Sequence, residues 1–235
     1  MNGWELFDRI YCISLKERKD RRTSARRQFE GAGLDGRVAF HLVDKHPEDT
    51  ERGIYESHLA CLEAGLAAGA ETILIFEDDV LLLPMDARLG LRLSAALAID
   101  GWEMLCLGAL VDGSRATEAP GVRQIRYRAL THAYAVTAAT ARRLVQLPWE
   151  GVAYDGMLKR EIDQAYALYP AVAFQSDATS DNEKHPRLER FRLCFGGLRR
   201  IQRVNEVYHC HRRLFLVLHT AALLAVVGAL WWWLT

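Results

Sequence analysis

The sequence predicts an α/β fold with a mostly parallel central sheet, and three observations carry that reading. Short runs rich in strand formers alternate with helical stretches along most of the chain. One run, Thr72 to Phe76, is apolar almost throughout, the pattern of a strand buried on both faces between helix layers. The length, 235 residues, suits one α/β domain of ordinary size, or one domain with an appendage.

The elements follow in order. Ile10 to Ile13 reads as a first strand, and Lys16 to Ala32 as a charged helix stopped by Gly31-Ala32-Gly33. Ala39 to Val43 is a second strand and His46 to Asp49 a turn. Tyr55 to Ala68 is a helix whose stripe includes Leu59, Leu62 and Leu66, ended by Gly69. The buried strand Thr72–Phe76 runs straight into Glu77-Asp78-Asp79, and a helix follows from Asp86 to Ile99. Met104 to Leu107 is a further core strand, while Val111 to Gly121, with its Gly, Ser and Pro, reads as loop. Ala133 to Val136 is a strand, Ala138 to Leu147 a helix, and Asp155 to Glu161 the start of another. Ala171 to Phe174 is a late strand, followed by a polar loop from Gln175 to Pro186 and a basic, partly amphipathic segment from Arg187 to Arg213.

Half of the residues are apolar and 26% are charged, a balance that supports a real core and argues against disorder. Lys and Arg number 30, as do Asp and Glu. A net charge of zero argues against a dedicated nucleic-acid binder, which needs a basic excess. The five cysteines, Cys12, Cys61, Cys106, Cys194 and Cys210, are odd in number and widely spaced. They form neither a disulfide framework nor a zinc motif, and fit a reducing compartment. The apolar run near the N-terminus is too short and too late for a signal peptide.

Leu214 to Leu234 is different: it contains no formally charged residue and only His219 and Thr220 are clearly polar. At ~1.5 Å per residue such a helix spans roughly 30 Å, the thickness of a bilayer core. Arg212 and Arg213 flank one end and Trp231-Trp232-Trp233 the other, a basic flank and an aromatic belt. A buried or docking helix is the alternative. The expected organisation is a domain over 1–186, a basic juxtamembrane segment over 187–213 and a transmembrane tail anchor over 214–234. Arg199, Arg200, Arg203, Arg212 and Arg213 all precede the span, which places the domain on the cytoplasmic face of a membrane.

Two constellations carry chemistry. Glu77, Asp78 and Asp79 at the mouth of a buried strand repel one another, and a bound divalent cation, Mg²⁺ or Mn²⁺, would offset that. Along an extended strand Glu77 and Asp79 share one face and Asp78 takes the other. The carboxyl end of a central strand is also where open α/β sheets bind small molecules. An acidic turn leading into the helix at Asp86 is the alternative. The second constellation is the charged turn after the first strand. Most of its charges read as a solvated helix face, but Arg18 and Arg21 are placed to meet a diphosphate. Gly53-Ile54-Tyr55-Glu56-Ser57-His58 is a third cluster, in which Gly53 precedes the helix and Ser57 and His58 fall in its first turn.

The succession YCISLKERKDRR, GIYESHLACLEAGLAAGAETILIFEDDV, GWEMLCLG, THAYAVTAATARRLV, YDGML and YPAVAFQSDATSD resembles glycosyltransferase family 25, over roughly residues 9 to 182. That family includes bacterial lipopolysaccharide sugar transferases and is related to collagen galactosyltransferases. The resemblance implies a GT-A-like fold, a nucleotide-sugar donor and a divalent metal. It implies donor contacts from Arg18, Arg21, Ser57, His58, Asp78 and Gln175, metal ligands in Glu77 and Asp79, and a late polar motif at Gln175, Ser180 and Asp181. Ser14 stands where Asn is usual, and Ile54 where Cys is frequent. The reaction implied is transfer of a hexose, galactose-like, with inversion onto a glycan or lipid-linked acceptor in cell-envelope polysaccharide or lipopolysaccharide biosynthesis. Asp155 is the first candidate for the general base and Asp181 the second, although Asp155 also suits the cap of its helix. A catalytically silent, membrane-tethered glycan- or assembly-binding protein of the same fold is the rival reading. A metal-dependent phosphohydrolase lacks a nucleophile motif here.

Overall fold

The apolar run that ends in three carboxylates forms the third strand of a central sheet in a computed structural model of the chain, which describes residues 3–176 and 194–234. The strands are β1 (Arg9–Leu15), β2 (Val38–Val43), β3 (Thr72–Glu77), β4 (Val80–Leu82), β5 (Met104–Cys106), β6 (Leu110–Ala116), β7 (Val122–Ala129), β8 (Ala133–Thr137), β9 (Ala165–Leu168) and β10 (Ala173–Gln175). The α-helices are α1 (Lys19–Gly31), α2 (Thr50–Ala67), α3 (Ala87–Leu97), α4 (Ala138–Leu144), α5 (Tyr154–Glu161), α6 (Leu198–Cys210) and α7 (Arg212–Leu234).

Eight strands make one sheet in the order β2-β1-β3-β8-β5-β9-β7-β6, and β4 pairs with β10 in a small second sheet. β1 runs parallel to both β2 and β3, and β5 parallel to β9. β8 lies antiparallel between β3 and β5, and β7 antiparallel between β9 and β6. Read across the sheet, β2, β1, β3, β5, β9 and β6 point one way, and only β7 and β8 point the other. The expected mixture of strands and helices around a large, mostly co-directional sheet is present.

The side-chain alternation of β3 explains the layers. Leu74 and Phe76 face a core shared with Trp4, Phe29, Leu89 and Leu93, under α1 and α3. Ile73 and Ile75 face the opposite core with Leu62, Leu144 and Met157, under α2, α4 and α5. All four strand residues are fully buried, so β3 is covered on both faces.

Several boundaries differ from the sequence expectation. Helix α2 starts at Thr50, not Tyr55, because Asp49 caps it by accepting from the Glu51 and Arg52 N–H groups. Gly53 is thus inside the helix, where a Cβ would lie 2.7 Å from His46 Cβ. The stretch expected to be loop over Val111–Gly121 holds most of edge strand β6 and the turn into β7, a strand outside the sequence reading; β6 is largely polar and half-exposed and carries no apolar period, whereas β7 buries Val122, Ile125 and Tyr127. The short strands β4 and β9 also lie outside the sequence reading.

The basic segment expected as an appendage over 187–213 contributes, among its described residues, a helix that belongs to the globular unit. Leu198 and Gln202 of α6 are buried, Asn205 forms a reciprocal pair of hydrogen bonds with the Val111 backbone, and Glu206 accepts from the Ala171 N–H at 2.6 Å. Arg199 and Arg203 lay their guanidinium groups over the Phe174 ring, and Arg200 is exposed. One residue, His211, separates α6 from α7. Helix α7 is long and apolar enough to cross a membrane, with a mean hydropathy of 2.2 and none of the span buried among the described residues.

Candidate active site

Strand β3 ends at Glu77, and Asp78-Asp79 form a two-residue turn into β4. The extended-strand argument, which put Glu77 and Asp79 on one face, therefore does not apply: each carboxylate departs in its own direction. Glu77 Oε1 accepts a short hydrogen bond from Thr131 Oγ1 and lies 3.5 Å from His58 Nε2. Asp78 meets Arg21 Nη1 at 3.4 Å, and Asp79 Oδ2 accepts from Gln175 Nε2 at 3.0 Å. The β4–β10 pairing sets the last contact, since Gln175 is in register with Val80 and the Ser176 N–H donates to the Asp79 carbonyl.

These groups line one cavity of about 250 Å³, together with Ser14, Lys45, His46, Ser57, Leu130, Thr131, Tyr154 and Asp155. Of the residues singled out from the sequence, Arg21, Ser57, His58, Glu77, Asp78, Asp79, Asp155 and Gln175 all reach it. Arg18 does not line it; it sits at the start of α1 and grips Asp20 at 2.9 Å. Ser57 spends its hydroxyl on the Gly53 carbonyl one turn back, at 2.6 Å. Asp181 and Ser180 lie outside the described residues.

The electrostatics divide the carboxylates. Burial pushes Glu77 up, but the hydrogen bond and charge of His58, with the Thr131 hydroxyl, hold it below the usual range. Burial, then the charge of Glu77, pushes Asp79 up to about 7, against the partial opposition of Gln175 and Arg21. Asp79 Oδ1 is buried and has no hydrogen-bond partner among the described residues. Burial also raises Asp78, with Ser14 and Arg21 pulling it back.

Asp155 is not the cap of its helix. Ala153 occupies that position, and the Asp155 carboxylate turns away to accept from Tyr127 Oη at 2.6 Å and from the Leu130 N–H at 3.3 Å. Burial raises its pKa, opposed first by the Tyr127 hydrogen bond. Leu130 has φ +83°, a left-handed backbone that costs a non-glycine residue about 1–3 kcal/mol. That conformation aims the Leu130 N–H at Asp155 while the next residue, Thr131, reaches Glu77.

Behind His58 runs a buried relay that sequence reasoning did not single out. His58 Nδ1 lies 3.1 Å from Tyr134 Oη, which lies 2.9 Å from Tyr154 Oη, and the His58 ring stacks on Tyr154 with centroids 4.2 Å apart. Tyr134 Oη and Glu77 thus engage the two ring nitrogens of His58 from opposite sides. Tyr134 and Tyr154 fall inside the THAYAV and YDGML stretches, so the signal was present, but their aromatic character reads as core. The left-handed Leu130 has no sequence signal at all.

Among the described residues no three His, Cys, Asp or Glu side chains are grouped to hold a metal by themselves. A hard divalent cation needs only one or two protein carboxylates when phosphate oxygens and water complete its shell. The open Oδ1 of Asp79 fits that limited role. Glu77, the other expected ligand, has one oxygen engaged by Thr131.

The fold and the cavity define an α/β protein with an acidic pocket at the end of a central strand. No family model matches the chain, and no curated protein matches it. Similar solved structures include A197 from STIV, with TM-score 0.41 and 10% identity over 71% of this chain and 85% of that one. They include a glycosyltransferase involved in glycosylation of the major capsid of PBCV-1, with TM-score 0.42 and 13% identity over 68% and 81%. A third is the galactosyltransferase LgtC in complex with donor and acceptor sugar analogs, with TM-score 0.40 and 14% identity over 67% and 72%. At these values the likeness is loose, and the chemistry has to be argued from the cavity.

Proposed function

We propose that the chain is a glycosyltransferase that moves a hexose from a nucleotide-sugar donor to a glycan acceptor. The observation that carries this reading is the convergence of Arg21, the Glu77-Asp78-Asp79 turn and Asp155 on one cavity. A guanidinium and a carboxylate with an open oxygen suit a diphosphate and its counter-cation. A raised carboxylate elsewhere in the cavity suits a proton acceptor.

In this reading Arg21 and the β1–α1 turn hold the donor diphosphate. Asp79, with Glu77 beside it, would hold Mn²⁺ or Mg²⁺, which supplies charge stabilisation for the departing diphosphate. The acceptor hydroxyl oxygen bonds to the anomeric carbon on the face opposite the diphosphate. The carbon–oxygen bond to phosphate breaks, its electron pair leaves with the nucleoside diphosphate, and the hydroxyl proton passes to Asp155. Tyr127 and Leu130 hold Asp155 in place, and its raised pKa makes it a better proton acceptor. Inversion, the galactose-like sugar and an envelope-polysaccharide or lipopolysaccharide acceptor come from the family resemblance. Helix α7 is read as a C-terminal membrane anchor, with the catalytic unit on the cytoplasmic face beside a lipid-linked acceptor.

Thermal shift and nucleoside diphosphate release across a panel of nucleotide sugars, with and without Mn²⁺, test the proposal. A ligand at ~100 times its dissociation constant adds about 2.7 kcal/mol, so binding is readily seen. At least one donor should stabilise the protein and be turned over. Binding without turnover in the presence of acceptors would favour the silent glycan-binding reading, and no binding at all would overturn the donor site.

A further inference from the structure

Helix α6 has two faces, and its contacts fix which one points outward. Leu198, Gln202, Asn205 and Glu206 are held against the domain by burial and by hydrogen bonds to Ala173, Val111 and Ala171. The opposite stripe, at helical spacing, is Arg200, Val204, Val207 and Tyr208, whereas the Arg199 and Arg203 guanidinium groups lie over the Phe174 ring of β10 and His211 Nε2 lies 3.3 Å from Tyr169 Oη. Val204, Val207 and Tyr208 are 61%, 46% and 41% exposed, high values for apolar side chains placed side by side. The stripe contains no acidic residue; Glu206, the one carboxylate of α6, is engaged with the Ala171 N–H.

This face is continuous with α7. The Tyr208 ring lies 5.6 Å from the Phe215 ring across the His211 joint, and Arg212 and Arg213 add two more cations at the start of the span. Apolar residues beside Arg200, Arg212 and Arg213, with no acid on the stripe and a direct junction to an apolar span, are what an interfacial helix presents to anionic headgroups. A protein partner would not require that uniform sign.

We propose that the outer face of α6 lies on anionic phospholipid headgroups and docks the globular unit against the bilayer that α7 enters. The proposal rests on the reading of α7 as a membrane span. It adds a second contact, made by the catalytic unit itself, and makes that contact lipid-selective. Because Gln202 on the inner face donates to the carbonyl of Ala173 in β10, two residues before Gln175, the docked helix also braces the strand that meets Asp79.

The test uses the full chain reconstituted into phosphatidylcholine vesicles, with and without phosphatidylglycerol. Flotation reports the anchor, and hydrogen exchange of the peptide over 199–211 reports α6. The expected result is flotation with both lipids and roughly tenfold slower exchange of α6 with the anionic one. The double variant Arg200→Glu, Val204→Glu should float equally but lose the slowing, since both side chains lie on the outer face. Equal exchange in the two vesicle types, with flotation intact, overturns the docking and leaves the anchor standing. Slowing that rises with protein density instead of anionic lipid overturns it in favour of a second copy. Failure to float overturns the anchor and the docking together.

Discussion

Tyr127 donates its phenolic hydrogen to Asp155 Oδ1 across 2.6 Å, and this bond is the largest influence opposing the burial that raises the Asp155 pKa. If Asp155 is the base, removing the bond has a defined sign. Tyr127→Phe should raise the Asp155 pKa further and move the acid limb of the pH–rate profile to higher pH, because the base works only when ionised. Asp155→Asn should lower kcat by about 10²–10⁴-fold. A Tyr127→Phe profile superimposable on the parent's would remove Asp155 from the role.

Asp79 yields a stability prediction independent of turnover. Its pKa is raised from an ordinary 3.8 to about 7, so between those values the folded state binds more protons than the unfolded one. Stability of the metal-free protein should therefore fall as pH rises from about 4 to 7, and the loss is complete above the folded pKa. Asp79→Asn removes the charge and should flatten this dependence, raising Tm at pH 8 by roughly 5 °C. It should also abolish most sugar transfer. Thermal melts from pH 4 to 8 in chelator check the first part; an unchanged pH slope would sink it.

Arg21 and Arg18 should separate. Arg21 touches Asp78 and lines the cavity, whereas Arg18 pairs with exposed Asp20 outside it. Arg21→Ala should raise the donor KM by about tenfold or more with a smaller change in kcat, the signature of uniform binding. Arg18→Ala should change KM by less than about threefold. Equal effects in the two variants would contradict the placement of the diphosphate beside Arg21.

Gly108 is a packing test of the site. A Cβ there would sit 2.0 Å from the Ala173 carbonyl oxygen and 2.4 Å from Gln202 Nε2. Gly108→Ala should destabilise the protein by about 1–3 kcal/mol and displace β10. Because β10 carries Gln175, the variant should also weaken donor binding. Wild-type stability in urea denaturation would show that β10 can yield without cost.

Much of this was legible in the sequence, for physical reasons. A strand buried on both faces leaves an apolar run that needs no tertiary information to see, and Thr72–Phe76 was found with its acidic end. Glu77, Asp78, Asp79 and Arg21 stood out because carboxylates and arginines at strand ends are costly unless they serve something, whereas Ser57, His58 and Gln175 entered through the family resemblance. What escaped depended on partners distant in sequence. Strand β6 is largely polar and half-exposed, so no period marks it, and the alternation from Ile125 through Tyr127 to Ala129 in β7 is too short to stand out beside it. The start of α2 was misplaced because Gly53 looks like a boundary, when the cap is Asp49 and the glycine clears His46. The inner face of α6 is polar, with Gln202, Asn205 and Glu206 held by backbone groups far away in sequence. A pattern search weighted to apolar spacing passes over it.

The dipeptide Leu130-Thr131 ties the two sides of the cavity into one unit of inheritance. The N–H of the first residue holds Asp155 and the hydroxyl of the second holds Glu77, so two successive residues set how the two carboxylates stand to each other. Substitutions at 77 and 155 should therefore be epistatic, with a combined effect that departs from the sum of the singles by about 0.5–3 kcal/mol. If Asp155 serves the acceptor and Glu77 the donor, a change that shifts one carboxylate is passed to the other through Leu130 and Thr131.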